Sequence, residues 1–237
     1  MSFWGAPKCP TYIKILNNID TSIIFFNYYS KRTFYSIAGR VLARKRFGPH
    51  NYETLSLLFG TLLGDSYAEL RNSATRIHFN QESHNFEYLM YCWNLLNRAG
   101  YCSDSLPIIQ ERKGLTTGEI RYVGRFKTFS FQSLNLTTGE IRYVGRFKTF
   151  SFQSLNWVHD SFNKPYSFNP NKLIKIVPES YIIYYYLSPL ALAFWIMDDG
   201  CWQGSGLKIA TNSFSLDDNI RLKVILSSKF NLNVFIV

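Results

Sequence analysis

The sequence predicts an α+β protein built from two similar halves, and two observations indicate this class. Two apolar helices, predicted at 51–66 and 188–200, each end in aspartate. A strand, a second helix and a further strand are predicted after each of them, although the second round is cut short. The net charge of +10 favours a polyanionic partner, either nucleic acid or an anionic membrane surface. We therefore expect a repeated unit that begins with an apolar, acid-ended helix.

The first apolar helix is identified by its spacing. Apolar residues from Leu55 onwards recur at positions i, i+3, i+4, i+7 and i+8, which form one stripe of a helix, and Asp65 follows them. Gly60 and Gly64 lie four residues apart on this helix. Because such positions share one side of a helix, the two glycines would allow another helix backbone to approach closely.

The second apolar helix ends abruptly. Leu192–Gly200 is apolar for six residues and then reads Asp-Asp-Gly. Ser188 is placed to cap the helix, Pro189 suits its first position, and the glycine marks its end. Carboxylates on the last turn meet the negative end of the helix dipole, so we expect a positive group beside them.

Two carboxylates at adjoining helix ends have three chemical uses. They act as general acid and base in glycosidases, share one proton in aspartic proteases, or hold divalent metal ions against phosphates. The basic composition and the basic strand faces favour the third use. Packing of the two helices would bring Asp65 and Asp199 to the same end. The alternative is that each aspartate merely ends its helix.

The remaining elements are predicted from periodicity. Strands are predicted at 75–81, 207–211 and 233–237, and helices at 85–98, 157–162 and 216–230. The segment 163–176 is rich in Asn, Pro and Lys and is predicted to be a linker.

Residues 1–48 form a basic leader without sustained periodicity. Residues 1–51 contain eight Lys or Arg residues and one acidic residue, Asp20, and so carry +7 of the net charge. The leader is interpreted either as an organellar transit peptide or as a segment translated from an upstream exon. Its basic cluster, 40–46, is equally consistent with phosphate contacts and with a solvated linker.

The most unusual feature of the sequence is a tandem repeat. Residues 115–135 and 136–156 are identical in all 21 positions. Perfect identity indicates a recent duplication, or an error in the sequence, rather than a functional repeat. Each copy predicts one bulged strand or two strands, apolar on one side and basic or polar on the other.

The cysteine pattern and the hydropathy indicate where the protein is found in the cell. The four cysteines form no Cys-x-x-Cys pair, and we expect reduced thiols in an intracellular compartment. No apolar run reaches the roughly 18 residues that span a bilayer.

Two segments, Gly60–Ser66 and Leu192–Gly200, resemble the paired motifs of the LAGLIDADG homing endonucleases. Further segments resemble this family in the same order: 47–51, 76–81, 100–102, 127–131, 187–192 and 209–214. The resemblance covers about residues 45–237 and is to the intron-encoded organellar subgroup. Ser66 departs from the family by replacing the last glycine of the first motif, and Phe194 and Asp198 replace small residues of the second.

The resemblance implies two αββαββα halves related by a pseudo-two-fold axis, with the motif helices packed at the centre. Two antiparallel sheets would form a saddle on double-stranded DNA and read base edges in the major groove. The first half is predicted at 49–177, including the duplication, and the second at 178–237. A complete second half has further strands and a closing helix, so this one is expected to be C-terminally incomplete. With both motifs in one chain, the enzyme is expected to act as a monomer.

The resemblance also implies a metal-dependent nuclease site. Asp65 and Asp199 would bind Mg²⁺ with the scissile phosphates and activate water, one strand each. The main-chain carbonyls of Gly64 and Asp198 would complete the metal shell.

Three polar residues have two interpretations each. Gln81 and Asn212 would position water or simply form hydrogen bonds at strand ends. Lys175 would lie near the active centre or in a plain linker. The expected DNA contacts are basic residues of the predicted strands: Arg76, His78, Arg121, Arg125, Lys127, Arg142, Arg146, Lys148 and Lys208.

The implied function is a site-specific double-strand DNA endonuclease that promotes intron mobility, encoded in a mitochondrion or a plastid. One alternative is an RNA-splicing maturase of the same fold, whose partner would be its host intron RNA. Another is a decayed, inactive remnant, which the cut second half and the duplication favour. No membrane partner is expected.

Overall fold

The computed structural model describes residues 12–16, 41–48, 50–113, 141–204 and 206–237. A first strand, β1, spans Tyr12–Leu16. The first half then follows the order αββαββα, as the resemblance implies. Its elements are α1 (Tyr52–Leu63), β2 (Tyr67–Arg71), β3 (Ala74–Glu82), α2 (Phe86–Arg98), β4 (Ile108–Lys113), β5 (Ile141–Lys148) and α3 (Asn156–Phe162).

The second half begins with a helix pair after a β-hairpin. The hairpin strands are β6 (Asn163–Tyr166) and β7 (Asn169–Lys175). They are followed by α4 (Ser180–Tyr186), α5 (Pro189–Asp199), β8 (Gly200–Gln203), β9 (Gly206–Ala210), α6 (Leu216–Phe230) and β10 (Asn233–Ile236). The helices and strands predicted from periodicity at 75–81, 85–98, 157–162, 207–211, 216–230 and 233–237 are all confirmed to within one residue at each end.

The described residues cluster into two compact units. One unit holds 51–64, the chain from Trp157 onwards and residues 12–16. The other holds 65–156 and the residues described between 30 and 50. Helix α1 thus belongs to the unit formed by the second half, because it packs against α5. The predicted halves follow chain order, whereas the compact units follow the packing of these two helices.

Helix α1 begins where the sequence provides a cap. The side-chain oxygen of Asn51 accepts a hydrogen bond of 2.9 Å from the backbone N–H of Thr54, which satisfies one free donor of the first turn. Every residue from Leu57 to Leu63 is buried. The ring of Phe59 stacks on Tyr186, with ring centroids 4.6 Å apart. The helix is therefore packed on all sides, as its continuous apolar sequence predicts.

Strands β2 to β5 form an antiparallel sheet in the order β2-β3-β5-β4. In β3, Ile77, Phe79 and Gln81 are buried, and the residues between them are partly exposed. One face of the sheet therefore covers the core and the other faces solvent. The sequence analysis missed β2. The turn that joins it to β3 carries positive φ at both central residues, Asn72 (51°) and Ser73 (60°), as in a type I′ hairpin.

Strand β5 comes from the second copy of the duplicated segment. It pairs with β3 and β4, placing Lys148 opposite His78 and Arg146 opposite Ile108. The first copy, 115–135, lies outside the described residues, as does any strand predicted within it.

The segment 163–176, predicted to be a linker, is instead the β6–β7 hairpin, so this prediction is wrong. Asn163 pairs with Lys175 at the open end of the hairpin. Most of its residues are exposed, so the sequence lacks the apolar alternation by which a half-buried strand is recognised.

The second sheet has four strands, in the order β10-β1-β9-β8. The sequence predicts no regular structure in the leader, yet residues 12–16 of the leader form the strand between β9 and β10. The expected shortage of strands in the second half is therefore not found: within the described ranges, this sheet has as many strands as the first. Because β1 is far in sequence from β9 and β10, no local sequence pattern predicts that these strands pair.

No single helix within the described ranges is long and apolar enough to cross a membrane. Helices α4 and α5 reach that length only when taken together, and they are bent by 99° at their junction.

Candidate functional site

Helices α1 and α5 lie side by side in the same direction, and small residues permit their close approach. A Cβ added at Gly60 would overlap the carbonyl oxygen of Ala191 and lie 2.6 Å from the Cβ of Phe194. A Cβ added at Gly64 would overlap the side chain of Asp198. The predicted role of Gly60 and Gly64 in close helix packing is therefore confirmed.

The amino-terminal ends of the two helices are joined by a buried hydrogen bond. The hydroxyl oxygens of Ser56 and Ser188 are 2.7 Å apart. The Ser188 oxygen also accepts from the backbone N–H of Ala191, over 3.0 Å, and caps α5 as predicted. Since both hydroxyls are satisfied, this contact fixes the register of the pair and aligns its opposite, acidic ends.

A positive group lies at the carboxyl end of α1. The ammonium of Lys175, the last residue of β7, donates a hydrogen bond to the main-chain carbonyl of Gly64. This carbonyl ends the helix, and the Asp198 side chain lies against the same glycine. A cation therefore occupies the negative end of the helix pair, where the acidic sequence requires one. The structure thus places Lys175 at the motif and not in a linker.

Asp65 directly follows this helix end and is oriented by two amides. The Nε2 of Gln81 donates to Oδ2 of Asp65 over 3.1 Å. The Nδ2 of Asn85 donates to Oε1 of Gln81 over 3.3 Å. Because the Gln81 oxygen is already an acceptor, its N–H group is directed at the carboxylate. Gln81 is buried, whereas Asp65 is exposed and accessible to a ligand.

Asn85 was not predicted as a site residue. Its spacing of four residues after Gln81, just before α2, is the signal that would have identified it.

The counterpart of Gln81 in the second half is Thr211 by register. If the register of β2 and β3 is continued, Asp65 lies opposite Asn80, and Gln81 is the next residue. If the register of β8 and β9 is continued, Asp199 lies opposite Ala210, and Thr211 is the next residue. Thr211 is fully buried, and among the described residues its hydroxyl has no hydrogen-bond partner. Asn212, the residue proposed from sequence, is exposed.

An acidic residue lies between two of the predicted DNA contacts. Oε2 of Glu69 is 2.6 Å from Nη2 of Arg76 and 2.6 Å from Nε2 of His78. The His78 ring stacks on Tyr67, with ring centroids 4.6 Å apart. The β2/β3 turn sets this register, so recognition of the Asn72–Ser73 hairpin is the signal that would have revealed Glu69.

The cluster has defined charge states. Burial raises the pKa of Glu69, but the hydrogen bonds and charges of Arg76 and His78 outweigh burial and hold the pKa below its usual value of 4.5. Burial lowers the pKa of His78 below 6.5, against the opposing effect of Glu69. At neutral pH the cluster therefore contains an ionised carboxylate, a guanidinium and a neutral imidazole.

The other predicted DNA contacts divide into three groups. Lys148 and Arg146 in β5 lie opposite His78 and Asn80 of β3, and Lys208 is a partly exposed residue of β9. Arg142 is placed by its backbone in β5, opposite a residue of β4. The last group lies outside the described residues: Arg121, Arg125 and Lys127.

The model of the LAGLIDADG DNA endonuclease family matches residues 55–237, a range that includes both motif helices. The chain belongs to this family. The match extends from α1 to β10, so the predicted relationship is confirmed over the range that the two motifs suggested.

Three curated relatives are named as mRNA maturases or as an intron-encoded endonuclease. Cytochrome b mRNA maturase bI2 of Saccharomyces cerevisiae is 40% identical over 193 residues, covering 78% of this chain and 38% of that protein. The maturase of the same name from Debaryomyces hansenii is 34% identical over 186 residues, covering 78% and 59%. Intron-encoded endonuclease ai4 of Dictyostelium discoideum is 31% identical over 142 residues, covering 59% and 71%. The chain thus spans less than two thirds of either maturase.

A solved structure confirms the fold. The homing endonuclease I-WcaI, in a structure described as bound to its DNA recognition sequence, superposes with a TM-score of 0.56. The alignment covers 80% of this chain and 72% of that one, at 21% identity. The LAGLIDADG chain therefore has the α+β homing endonuclease fold that its sequence predicts.

The donor atoms at the motif suit a hard divalent cation. Carboxylate and main-chain oxygens are the ligands that Mg²⁺ prefers, and the Gly64 carbonyl oxygen already accepts a hydrogen bond from the positively charged Lys175 ammonium. Across the described ranges, no group of three or more His, Cys, Asp or Glu side chains could hold a metal by itself. Water or phosphate oxygens would have to supply the remaining ligands.

Acid should destabilise this chain. Burial lowers the pKa of both His50 and His78 below 6.5, so the unfolded chain takes up protons at these positions at a higher pH than the folded chain. The histidine contribution to folding is therefore fully present above pH 6.5 and is lost as the pH falls through the folded-state pKa values. We expect the melting temperature to fall between about pH 7.5 and about pH 5.

The pH effect has a matched control. His78→Gln should reduce the acid-induced loss, whereas His84→Gln, at a side chain 69% exposed, should leave it unchanged. A melting temperature that does not change over this pH range would contradict the assignment.

Proposed function

We propose that this chain is a site-specific double-strand DNA endonuclease of the homing type. The observation that carries the proposal is the parallel packing of α1 and α5 through Gly60 and Gly64, which brings the acidic end of α5 against the end of α1. A purely structural helix pair would gain nothing from carboxylates at the negative ends of its dipoles. A site for cations and phosphates explains them.

In this proposal the motif residues hold Mg²⁺. The carboxylates of Asp65 and Asp199 and the carbonyls of Gly64 and Asp198 are the ligands that the chain supplies. Bound Mg²⁺ would stabilise negative charge on the scissile phosphate and lower the pKa of water. The chain's own residues set the conditions for this chemistry: Gln81 fixes the orientation of the Asp65 carboxylate.

Lys175 has a separate role in this proposal. Its ammonium donates to the Gly64 carbonyl and offsets negative charge at the helix end. Where Mg²⁺ takes this carbonyl as a ligand, the ammonium would instead offset charge that develops on a phosphate. This assignment applies to the motif-one helix, where the contact is formed.

Double-stranded DNA is the proposed partner, bound by the solvent faces of the two sheets. The first sheet presents Arg76, Arg146 and Lys148 on one face. Phosphates would compete with Glu69 for Arg76, so the acid restrains this side chain when DNA is absent. The I-WcaI structure, described as bound to its DNA recognition sequence, supports this choice of partner. We propose that the enzyme acts as a monomer, since both motifs lie in one chain.

The test of this proposal is linearisation of a plasmid that carries the intronless allele of the host gene. With Mg²⁺ the chain should convert supercoiled plasmid to a single linear product. With Ca²⁺ or with a chelator it should bind the DNA without cutting it. Cleavage that persists in the chelator, or many products from scattered sites, would contradict the proposal.

A second candidate function is RNA splicing. It is favoured by the names of the two relatives that cover 78% of this chain, both of which are cytochrome b mRNA maturases. These relatives also support an origin in mitochondrial DNA, which we propose for this chain. A maturase would promote splicing of its host intron RNA with or without the motif aspartates.

The amides behind Asp65 provide a prediction about catalysis. Gln81→Leu removes the donor to Asp65. We expect cleavage to slow about 10- to 100-fold while DNA affinity is kept, as when other residues that hydrogen-bond to metal ligands are removed. Rates should be measured under single-turnover conditions with saturating Mg²⁺. Gln153→Leu makes the same change at an exposed amide outside the strands, and as the control it should retain the wild-type cleavage rate. An equal loss in both variants would refute the specific role of Gln81.

Thr211 and Asn212 are distinguished by a matched pair of variants. Thr211→Val keeps the shape and removes a buried hydroxyl that has no partner in the described structure, so stability should be unchanged or higher. If Thr211 is the counterpart of Gln81, cleavage should nevertheless fall about tenfold. Asn212→Ala should then retain the wild-type rate. The reverse result would assign the role to Asn212.

A further inference from the structure

The two sheets have the same topology. The N-terminal strand β1 occupies a position in the second sheet that, in the first sheet, is occupied by a strand of the first half itself. The first sheet runs β2-β3-β5-β4, and the second runs β8-β9-β1-β10. In the first sheet, β2 and β3 follow α1, and β4, which follows α2, lies at the far edge. In the second sheet, β8 and β9 follow α5, and β10, which follows α6, lies at the far edge. The strand between them is β5 in the first sheet and β1 in the second, and each is antiparallel to both neighbours. Strand β1 is therefore the topological equivalent of β5.

The register of β1 matches its sequence to the sheet. Ile13 lies opposite Ile209 of β9 and Ile236 of β10. Ile15 lies opposite Leu207 and Val234. The two isoleucines of β1 are therefore paired only with apolar residues of β9 and β10.

The residue between Ile13 and Ile15 lies at the other set of alternate positions in β1. Lys14 lies opposite Lys208 of β9 and Phe235 of β10, the latter an exposed residue. A slip of one residue would instead place Lys14 opposite Leu207 or Ile209. The pattern Tyr-Ile-Lys-Ile-Leu therefore specifies one register in this position.

We propose that residues 12–16 are an integral strand of the second sheet, supplying from the N-terminal leader what β5 supplies in the first half, and that the nucleic-acid face of this sheet includes β1. The first part stands on topology and register alone. The second part rests on the proposed DNA-binding function.

The physical consequence follows from the inner position of the strand. Strand β1 pairs along both edges, so its removal would leave two rows of backbone donors and acceptors unpaired, one on β9 and one on β10. Residues 12–16 of the leader are then part of the folded sheet and are not dispensable. This differs from a transit peptide, which is removed.

Cysteine cross-linking of the full chain tests the placement of β1. In a background with Cys9→Ser and Cys201→Ser, Lys14→Cys is combined with Phe235→Cys, which lies directly opposite it. Tyr12→Cys with Ala210→Cys tests the pairing with the other neighbour. Under mild oxidation both pairs should form an intramolecular disulfide, detected as faster migration on a non-reducing gel.

The controls are pairs two residues out of register. Lys14→Cys with Val237→Cys, and Tyr12→Cys with Lys208→Cys, are diagonal neighbours whose separation of about 7–8 Å is too long for a disulfide without movement. We expect them to cross-link at least about tenfold more slowly than the matched pairs. Equal rates for matched and shifted pairs, or no cross-link in protein that still melts cooperatively, would overturn the placement of β1.

A charge reversal tests the functional part. Lys14→Glu should weaken binding to target DNA about tenfold. Lys8→Glu makes the same charge change outside the strand and should change affinity less than about threefold. If the matched cysteines cross-link but the two charge variants bind equally, β1 belongs to the sheet and is not part of a DNA face. If no variant or wild-type protein binds DNA, the proposed function itself fails while the cross-linking result stands.

Discussion

Asp65→Asn and Asp199→Asn should each abolish double-strand cleavage while DNA binding is retained. The amide keeps the shape of the side chain but lacks the charge that holds a divalent cation, so we expect the rate to fall by at least about 10³. Affinity for DNA should stay equal or rise slightly, because a negative charge near the phosphates has been removed. Cleavage and binding are measured on the same labelled duplex, by gel and by fluorescence anisotropy.

The control for the aspartate variants is Asp160→Asn. Its carboxylate is 71% exposed in α3 and lies outside the motif helices, so its removal should leave the cleavage rate unchanged. Each motif variant should leave at most a nick in one strand, since the proposal assigns one aspartate to each. Unimpaired double-strand cleavage by both motif variants would exclude a role for these carboxylates.

Gly60→Ala should have the largest effect on folding. The added methyl group would overlap the Ala191 carbonyl and lie 2.6 Å from the Phe194 Cβ, so the two helices must separate. Overpacking of this kind costs about 1–3 kcal/mol, against a gain of up to about 1 kcal/mol in helix propensity. The steric cost should dominate because one of the overlapping atoms belongs to the backbone. We expect a lower melting temperature and a loss of cleavage.

A matched substitution on the partner helix separates this effect from a general one. Ala193 is exposed on α5, so Ala193→Leu adds a larger side chain to the same helix pair without entering its interface. Its melting temperature should stay near that of the wild type. If Gly60→Ala is as stable as Ala193→Leu, the close packing of α1 on α5 is not required.

The motif helices could be predicted from sequence because their signals are local. The Asn51 cap, the Ser188 cap with its following proline, and the glycines at the helix ends each act within a few residues. The small residues Gly60 and Gly64 also indicated the close approach of a second helix before that helix was known. Signals of this kind for packing and capping depend on residues that are close together in the sequence.

Several features were not predictable because they depend on distant residues. Strand β1 pairs with β9 and β10, from which it is separated by nearly the whole sequence. The β6–β7 hairpin is exposed and carries no apolar alternation, so it resembled a linker. Strand β1 completes the second sheet, and the hairpin brings Lys175 to the Gly64 carbonyl.

The sequence proposed Asp65, Gln81 and Lys175 for the candidate site, and it missed Asn85 and Glu69, which the structure places beside Gln81 and Arg76. The spacing from Gln81 and the Asn72–Ser73 turn are sequence signals for these two residues, but neither signal shows which atoms form the hydrogen bonds. Thr211 rather than Asn212 matches Gln81, because strand register and not sequence spacing sets the equivalence. The overall charge was also a weak guide, since +7 of the net +10 lies within the first 51 residues.

The most direct measurement compares wild-type protein with the Asp65→Asn/Asp199→Asn double variant in two assays side by side. One assay is Mg²⁺-dependent cleavage of the intronless target DNA, and the other is splicing of the host intron RNA. We expect the wild type to produce one double-strand break and the double variant to bind the same DNA without cutting it. Wild-type protein that never cuts DNA, while both proteins promote splicing equally, would contradict the nuclease and assign the chain as a maturase.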